Sequence, residues 1–477
     1  MSEFSENFKK IKDKRNLTCA EIIERMESEN FEIYHWINGN RIPKNWKQLE
    51  DVILKLELTE DEYRNLKTVY EKERLGEREY SNHKKIMEIF ETLQQRRMEY
   101  HSKLNGMHGE GGHPAIWPDF VKLNNRMEIL GWIQNVLDYL LTQKEKKIYV
   151  KLGTIHAEVL MLLKMLCSKT EDCYIEEIVH VFSEEKDRDV YNLGVLKDVI
   201  ELWIQKNTLH VYWVEDKNEE QGLEENWILS NDFVIQYDAE FSHGMFSADG
   251  KWIGFVRENF ERLKNVSESL ATKACEVMGS NVGYEKADMT GYTMEYMPCI
   301  GNGLTEAILE QHIYPHIPGR NALIQEILNT HLLKNKNQKF KWYSFFSREG
   351  LIEFMETGRI DTFPYEVYKR PELPVRCEML ENAMNSCRDG RFSYFMVKDK
   401  EFPSMKNLYI EQMVGSMEKL ELGLCLKDGV KEQLRIKNAG IQKQFLNFCS
   451  YLEEGGYVYT QNETLAYMKQ ILQEYKK

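Results

Sequence analysis

The sequence predicts a multidomain protein, with an all-α domain over residues 1–70, a helical connector over 71–144 and a mixed α/β region beyond. Three observations predict it. Up to Tyr70, apolar residues recur at helical spacing between closely placed capping residues. A charged stretch, EKERLGEREYSNHKK at 71–85, then breaks that pattern. From about Ile148, short β-rich runs alternate with helical ones, as in α/β domains.

Thr18 followed by Glu21 forms a capping box, because hydroxyl and carboxylate each satisfy an orphan amide at a helix start. It places a helix near Cys19, with Ile22, Ile23 and Met26 on its apolar face, and Ser28 offers another cap soon after. The following helix carries Ile33, Trp36 and Ile37 on one face, leaving Asn30, Phe31, Tyr34 and His35 on others. Asn38-Gly39-Asn40 ends it, since glycine tolerates the left-handed conformation common at helix termini. Pro43 is expected in the first turn of the next helix, whose buried stripe is Leu49, Val52, Ile53 and Leu56. A second capping box, Thr59 with Glu62, opens a helix through Leu66 and Tyr70.

A short helix, a tight turn, a helix ending near glycine, then a basic residue and proline, with the tail INGNRIPKNWKQLEDVILKLELTEDE, resembles the XRE (lambda-repressor-like) helix-turn-helix family over residues 7–70. The resemblance implies a five-helix domain that binds double-stranded DNA, the helix at 29–37 entering the major groove. It places Asn30, Phe31, Tyr34 and His35 at base-reading positions and Asn38, Asn40, Arg41 and Lys44 near phosphates. Asparagine bonds bidentately to adenine and an aromatic ring packs on a thymine methyl, so Asn30 and Phe31 are the preferred readers. Lys9 and Lys10, with Lys12, Lys14 and Arg15 on the first helix, supply further charge for phosphates. The sequence departs from the family at Glu27, where a turn glycine is usual, and at Ile37, where glutamate is common. Residues 1–70 carry 12 basic and 14 acidic side chains, with Glu27, Glu29 and Glu32 in the reading region. These features leave a second reading open: a protein-interaction scaffold, or an unrecognised enzyme, carrying a degenerate helix-turn-helix.

With 477 residues, 42% of them hydrophobic, the chain can bury several cores, and two to four domains are expected. A net charge of −14 opposes general affinity for nucleic acid or anionic membrane, so any DNA contact must be local and oriented. No apolar leader is apparent and no apolar run approaches the roughly 20 residues that span a bilayer, so a cytoplasmic protein without membrane contact is expected. Nine cysteines occur without a CxxC pair, which suits reduced thiols.

The charged segment 71–85 is expected to be a solvated hinge, followed by a helix over 86–101 and a glycine-rich loop, LNGMHGEGGHP. His101, His108, Glu110 and His113 there have zinc-ligand chemistry, but such a loop lacks the scaffold that fixes ligands, and no metal is expected. Residues 120–141 read as one long helix, for the core or for pairing in a homodimer. A first α/β unit is assigned to 145–270, with strands at 178–182, 209–214 and 233–237 and helices at 193–205 and 252–263. A connecting segment follows over 271–335. The second unit, 336–477, has strands at 342–346, 392–397, 408–413 and 420–426 and helices at 375–385 and 441–452. Phe182-Ser183 and Phe346-Ser347 end corresponding strands, so the two units form a candidate internal duplication.

A duplicated α/β unit behind such a head loosely resembles the phospholipase-D-like domains that some regulators use as sensors. Catalysis in that family needs His-x-Lys followed by Asp. His83 with Lys85 and His101 with Lys103 supply the first half, but Phe90 and His108 occupy the Asp positions. The chain lacks GxxxxGK[ST], GxSxG and HExxH, and Gly301 and Gly303 read as a turn before a helix at 305–312. His210, His243 and Cys299 are isolated candidates with no partner legible in sequence. The expectation is a transcriptional regulator without enzymatic activity or cofactor, whose α/β part senses an unknown small-molecule or protein effector, in an apolar pocket where the effector is a small molecule.

Overall fold

The computed structural model describes residues 2–25, 32–94, 117–152, 157–170, 172–182, 188–205, 209–216, 225–269, 289–336, 340–360, 363, 365–415, 418–425 and 431–476. Its N-terminal part is a helical bundle of α1 (Glu3–Lys14), α2 (Cys19–Arg25), α3 (Glu32–Ile37), α4 (Trp46–Leu56) and α5 (Glu60–Leu75). Phe4, Phe8, Ile22, Ile33, Trp36, Trp46, Leu49, Val52, Leu66 and Tyr70 fill its core. Both capping boxes form: Glu21 N donates to Thr18 Oγ1 at 3.2 Å and Glu62 N to Thr59 Oγ1 at 3.3 Å. Pro43 lies upstream of α4, not in its first turn. Asn45 caps that helix instead, accepting from Gln48 N at 3.0 Å, because its amide oxygen reaches an orphan N–H that proline cannot serve.

Beyond α6 (Glu77–Gln94), the first α/β unit comprises β1 (Phe120–Leu123), α7 (Arg126–Thr142), β2 (Lys146–Leu152), α8 (Ala157–Lys169), β3 (Cys173–Phe182), α9 (Asp189–Trp203) and β4 (Leu209–Asp216). It continues through β5 (Glu225–Leu229), β6 (Val234–Asp238), β7 (Gly244–Ser247), α10 (Gly250–Val266) and β8 (Glu268–Ser269). The second unit runs β9 (Met289–Glu295), α11 (Glu306–His312), α12 (Arg320–Lys336), β10 (Phe340–Phe346), α13 (Arg348–Thr357), α14 (Leu373–Asn385) and β11 (Phe392–Met396). Then come β12 (Leu408–Gly415), β13 (Lys419–Cys425), β14 (Lys431–Ile436), α15 (Ala439–Tyr451) and α16 (Gln461–Tyr475).

The sheets share one strand plan. In the first, β2, β3 and β4 are parallel neighbours, and β5, β6 and β7 follow as an antiparallel meander on the other side of β2. In the second, β9, β10 and β11 are parallel neighbours, and β12, β13 and β14 form the meander beside β9. Among the described residues, only the first sheet carries extra edge strands, β1 on β7 and β8 on β4. One continuous apolar core joins the facing sides of both sheets through α6, α7, α8, α9 and α15. Separate cores cover the remaining faces, beneath α10 on the first sheet and beneath α11, α13, α14 and α16 on the second.

Three further expectations are corrected. Residues 271–335 are not merely a connection, since MTGYTME at 289–295 forms β9, a central strand of the second sheet. Residues 120–141 are not one helix. FVKL is an edge strand, and Asn125 starts α7 by accepting from Glu128 N at 3.0 Å. Nor is 71–85 a solvated hinge. Glu71, Asn82 and His83 are buried, and Asn82 Nδ2 donates to Gln444 Oε1 at 2.9 Å. Apolar residues of α6 enter the shared core, so charge at the ends of a helix concealed an embedded strut.

Candidate nucleic-acid interface

The side chains assigned to base reading begin on α3, which buries Ile33, Trp36 and Ile37 and exposes Tyr34 and His35. Asn30 and Phe31, with Glu27 and Glu29, lie outside the described residues. The end of α3 is closed locally: Gly39 takes φ +74° and Asn40 N donates to His35 O at 2.9 Å, the positive φ being where glycine costs least. That turn leaves Asn38, Asn40, Arg41 and Lys44 exposed in the segment after the helix. The side chains of Tyr34, His35, Asn38, Asn40 and Arg41 form no hydrogen bond or ion pair with another described residue.

The basic residues of α1 divide into two groups. Lys9 and Lys10 are exposed. Arg15 instead binds Leu56 O at 2.8 Å and Glu62 Oε2 at 2.6 Å, Lys14 binds Glu62 at 2.8 Å, and Lys12 reaches Leu17 O at 3.2 Å. The Arg15 guanidinium holds the Glu62 carboxyl far below the usual range. Arg15 and Lys14 thus join α1 to the start of α5 through Glu62, the Lys14 side chain remaining 68% exposed.

The bundle docks on the second α/β unit through α4 and α5. Trp46 N donates to Glu454 O at 3.0 Å, and Gly456, at φ +71°, passes so close that a β-carbon there would lie 1.9 Å from Trp46 Cδ1. Lys67 and Tyr63 both bond Glu401, and the Lys67 ammonium also lies 4.3 Å from the Tyr457 ring centroid. Tyr457 OH donates to Glu71 Oε1 at 2.6 Å, Lys398 Nζ to Glu50 Oε1 at 2.8 Å, and Arg74 pairs with Glu454. Burial lowers the pKa of Lys67, opposed by the Glu401 charge. It raises that of Glu71, opposed by Lys67.

Behind this contact lies an open cleft of about 840 Å³ between α4, α5, α6 and the 398–401 and 457–459 segments. Eight carboxylates and five cationic side chains line it, together with an apolar part that includes Ile53, Leu54, Leu58 and Met87. This cleft lies at the junction with the bundle and is not the apolar pocket expected within the α/β region.

The remaining candidates are dispersed. His83 stands edge-on to Phe448 at 5.3 Å and beside Tyr451 at 5.2 Å, and burial pushes its imidazole down to about 4, which suits packing. His210 lies tilted beside Tyr174 at 5.1 Å, His243 bonds Asp238 in an exposed turn, and Cys299 O accepts from Tyr394 OH at 2.8 Å. His101, His108, Glu110 and His113 lie outside the described residues, among which no cluster of three or more His, Cys, Asp or Glu suits a metal. No helix among them is long and apolar enough to cross a membrane. The docking surface is what sequence reasoning missed. Its only local signal was Gly455-Gly456 before an aromatic run.

No protein-family model and no curated protein matches the sequence. Among solved structures, TrmBL2, an archaeal chromatin protein with a novel mode of DNA binding, aligns at TM-score 0.23 and 9% identity over 32% of this chain and 55% of its own. Polyphosphate kinase from Porphyromonas gingivalis aligns at 0.22 and 8% over 74% of this chain and 55% of its own. Phosphatidylserine synthase from Haemophilus influenzae Rd KW20 aligns at 0.21 and 12%, over 75% and 93%. The chain thus spans about half the length of the first two structures.

Proposed function

We propose that this chain is a sequence-specific DNA-binding transcriptional regulator, in which an XRE-type helix-turn-helix reads an operator and the α/β body positions it in response to a small-molecule or protein effector. One observation carries the reading. The bundle is held to the body through α4 and α5, while Tyr34 and His35 on α3, and Asn38, Asn40, Arg41 and Lys44 after it, remain exposed. A face used only for packing would be expected to bury such side chains. The proposal includes a homodimer, each copy presenting one bundle to a half-site, and an internal duplication of the α/β unit, supported by the shared strand plan.

Selection of bound duplexes from random sequence by the full chain tests it. The expected product is a palindrome with half-sites about one helical turn apart, roughly 34 Å centre to centre. The 14 acidic against 12 basic side chains of residues 1–70 favour the scaffold reading instead, and failure to enrich any motif at low salt would establish that reading over this one.

A further inference from the structure

A second cavity, of about 610 Å³, opens in the second α/β unit between the C-terminal end of α13, the segment leading to Arg370, the 404–407 turn and Gln94 at the end of α6. Its charge runs against that of the whole protein, with Arg359, Arg370 and Lys406 facing one carboxylate, Glu353, in a chain of net charge −14. We propose that this cavity binds a phosphate-bearing small molecule of nucleotide size.

The cationic groups differ in how firmly they are held. Arg359 is a fixed wall: its side chain is 11% exposed and pairs with Glu353 at 3.4 Å, and its backbone N donates to Thr357 Oγ1 at 3.1 Å. The turn that delivers it is set by Gly358, at φ +69°, which closes α13. Arg370 is exposed, yet its guanidinium lies 4.8 Å from the Tyr365 ring centroid, which restricts the plane it presents. Lys406 is exposed and supplies a mobile point charge. Guanidinium forks suit the paired oxygens of a phosphate, and the polar side chains of Ser404, Asn407 and Gln94 line the same space. The volume falls within the few hundred to about 1,000 Å³ usual for small-molecule sites. A single phosphate would leave most of it unfilled, so the cavity calls for an organic remainder.

The site stands apart from DNA reading by the bundle, and binding is measured without DNA. Calorimetry on the full chain would use ATP, inorganic phosphate and adenosine as probes. ATP is expected to bind and adenosine not to. Arg370→Ala and Lys406→Ala, both at exposed positions that leave folding intact, should each weaken ATP about tenfold or more, the loss of one charge-assisted contact. Arg64→Ala, in the other cleft, should leave ATP binding unchanged. Phosphate binding with the same variant sensitivity supports the anion site. Absence of ATP binding, ATP binding indifferent to both variants, or equal binding of adenosine overturns the proposal.

Discussion

Neutralising one carboxylate, Glu401→Gln, should release the N-terminal bundle from the body. Lys67 and Glu401 form an ion pair whose side chains are 9% and 13% exposed, and Tyr63 bonds the same carboxylate. Removing the acid strands an ammonium between the Trp46 ring at 5.0 Å and the Tyr457 ring at 4.3 Å. Breaking a buried pair from one side costs about 3–5 kcal/mol. Glu71 still faces Lys67, so the lower end, about 3 kcal/mol, applies. Replacing both partners with apolar residues, Lys67→Met with Glu401→Leu, removes the stranded charge and should cost less than Glu401→Gln alone. Because a chain of several units does not unfold in one step, the assay is amide hydrogen exchange resolved to α5, which reports local opening. A loss under about 1 kcal/mol, the range of exposed pairs, would refute the reasoning, as would a double variant that opens α5 more than the single.

Three further outcomes follow. Burial, and then the charge of Asp198, push the Glu177 carboxyl up to about 8 from its ordinary 4.5, so the unfolded chain gives up this proton first and the native state keeps it. The stability it contributes is complete below pH 4.5 and is lost as pH rises to about 8, at about 1.4 kcal/mol per pH unit at most. Glu177→Gln should abolish that slope in the opening free energy of β3, read from amide hydrogen exchange between pH 5 and 8, and parallel profiles for the two proteins would contradict it. Gly456→Ala should cost about 2 kcal/mol or more of bundle docking, read as faster exchange in α4, because the new methyl meets the buried Trp46 ring at positive φ. Arg41→Ala and Lys44→Ala should weaken all duplexes alike and lower the salt slope by about one each, whereas Asn30→Ala relaxes preference at one base position; equal effects on every sequence would remove the assigned roles.

Where one residue type carried one local job, the sequence was legible. Thr18 with Glu21, Thr59 with Glu62, Gly39, and the stripe at Leu49, Val52, Ile53 and Leu56 all act within a few residues of themselves. The strands that open the parallel part of each sheet were not, for one shared reason. KKIYVKL and MTGYTME are central strands, buried on both faces of their sheets, so neither the alternation nor the uniform apolarity that marks other strands appears. Lys151 and Glu295 are buried in them, and polar residues inside a strand hide it. The connector misled in the other direction. Its charges are real, but Arg78 bonds Asp189 and Glu71 bonds Tyr457, partners more than a hundred residues away that no local window can contain. The docking surface is of the same kind. Trp46 belongs to the core of its own bundle and is also the face that meets Gly456.

That docking makes a further prediction about DNA. A bundle on a solvated hinge would let two half-sites lie at many separations, whereas one fixed by Trp46 on Gly456, Lys67 on Glu401 and Glu50 on Lys398 presents α3 in one orientation. On the regulator reading, the wild-type chain should therefore select one half-site spacing. Combining Glu401→Gln with Gly456→Ala loosens the lock without touching α3, so selection should return the same half-site sequence over a wider set of spacings. Wild-type protein that accepts many spacings would show the bundle is not held in solution. A doubly substituted chain that keeps the single spacing would place its control elsewhere. The 840 Å³ cleft adjoins the lock, so an effector there would alter spacing only by binding the docked and released arrangements with different affinity; equal affinity shifts neither.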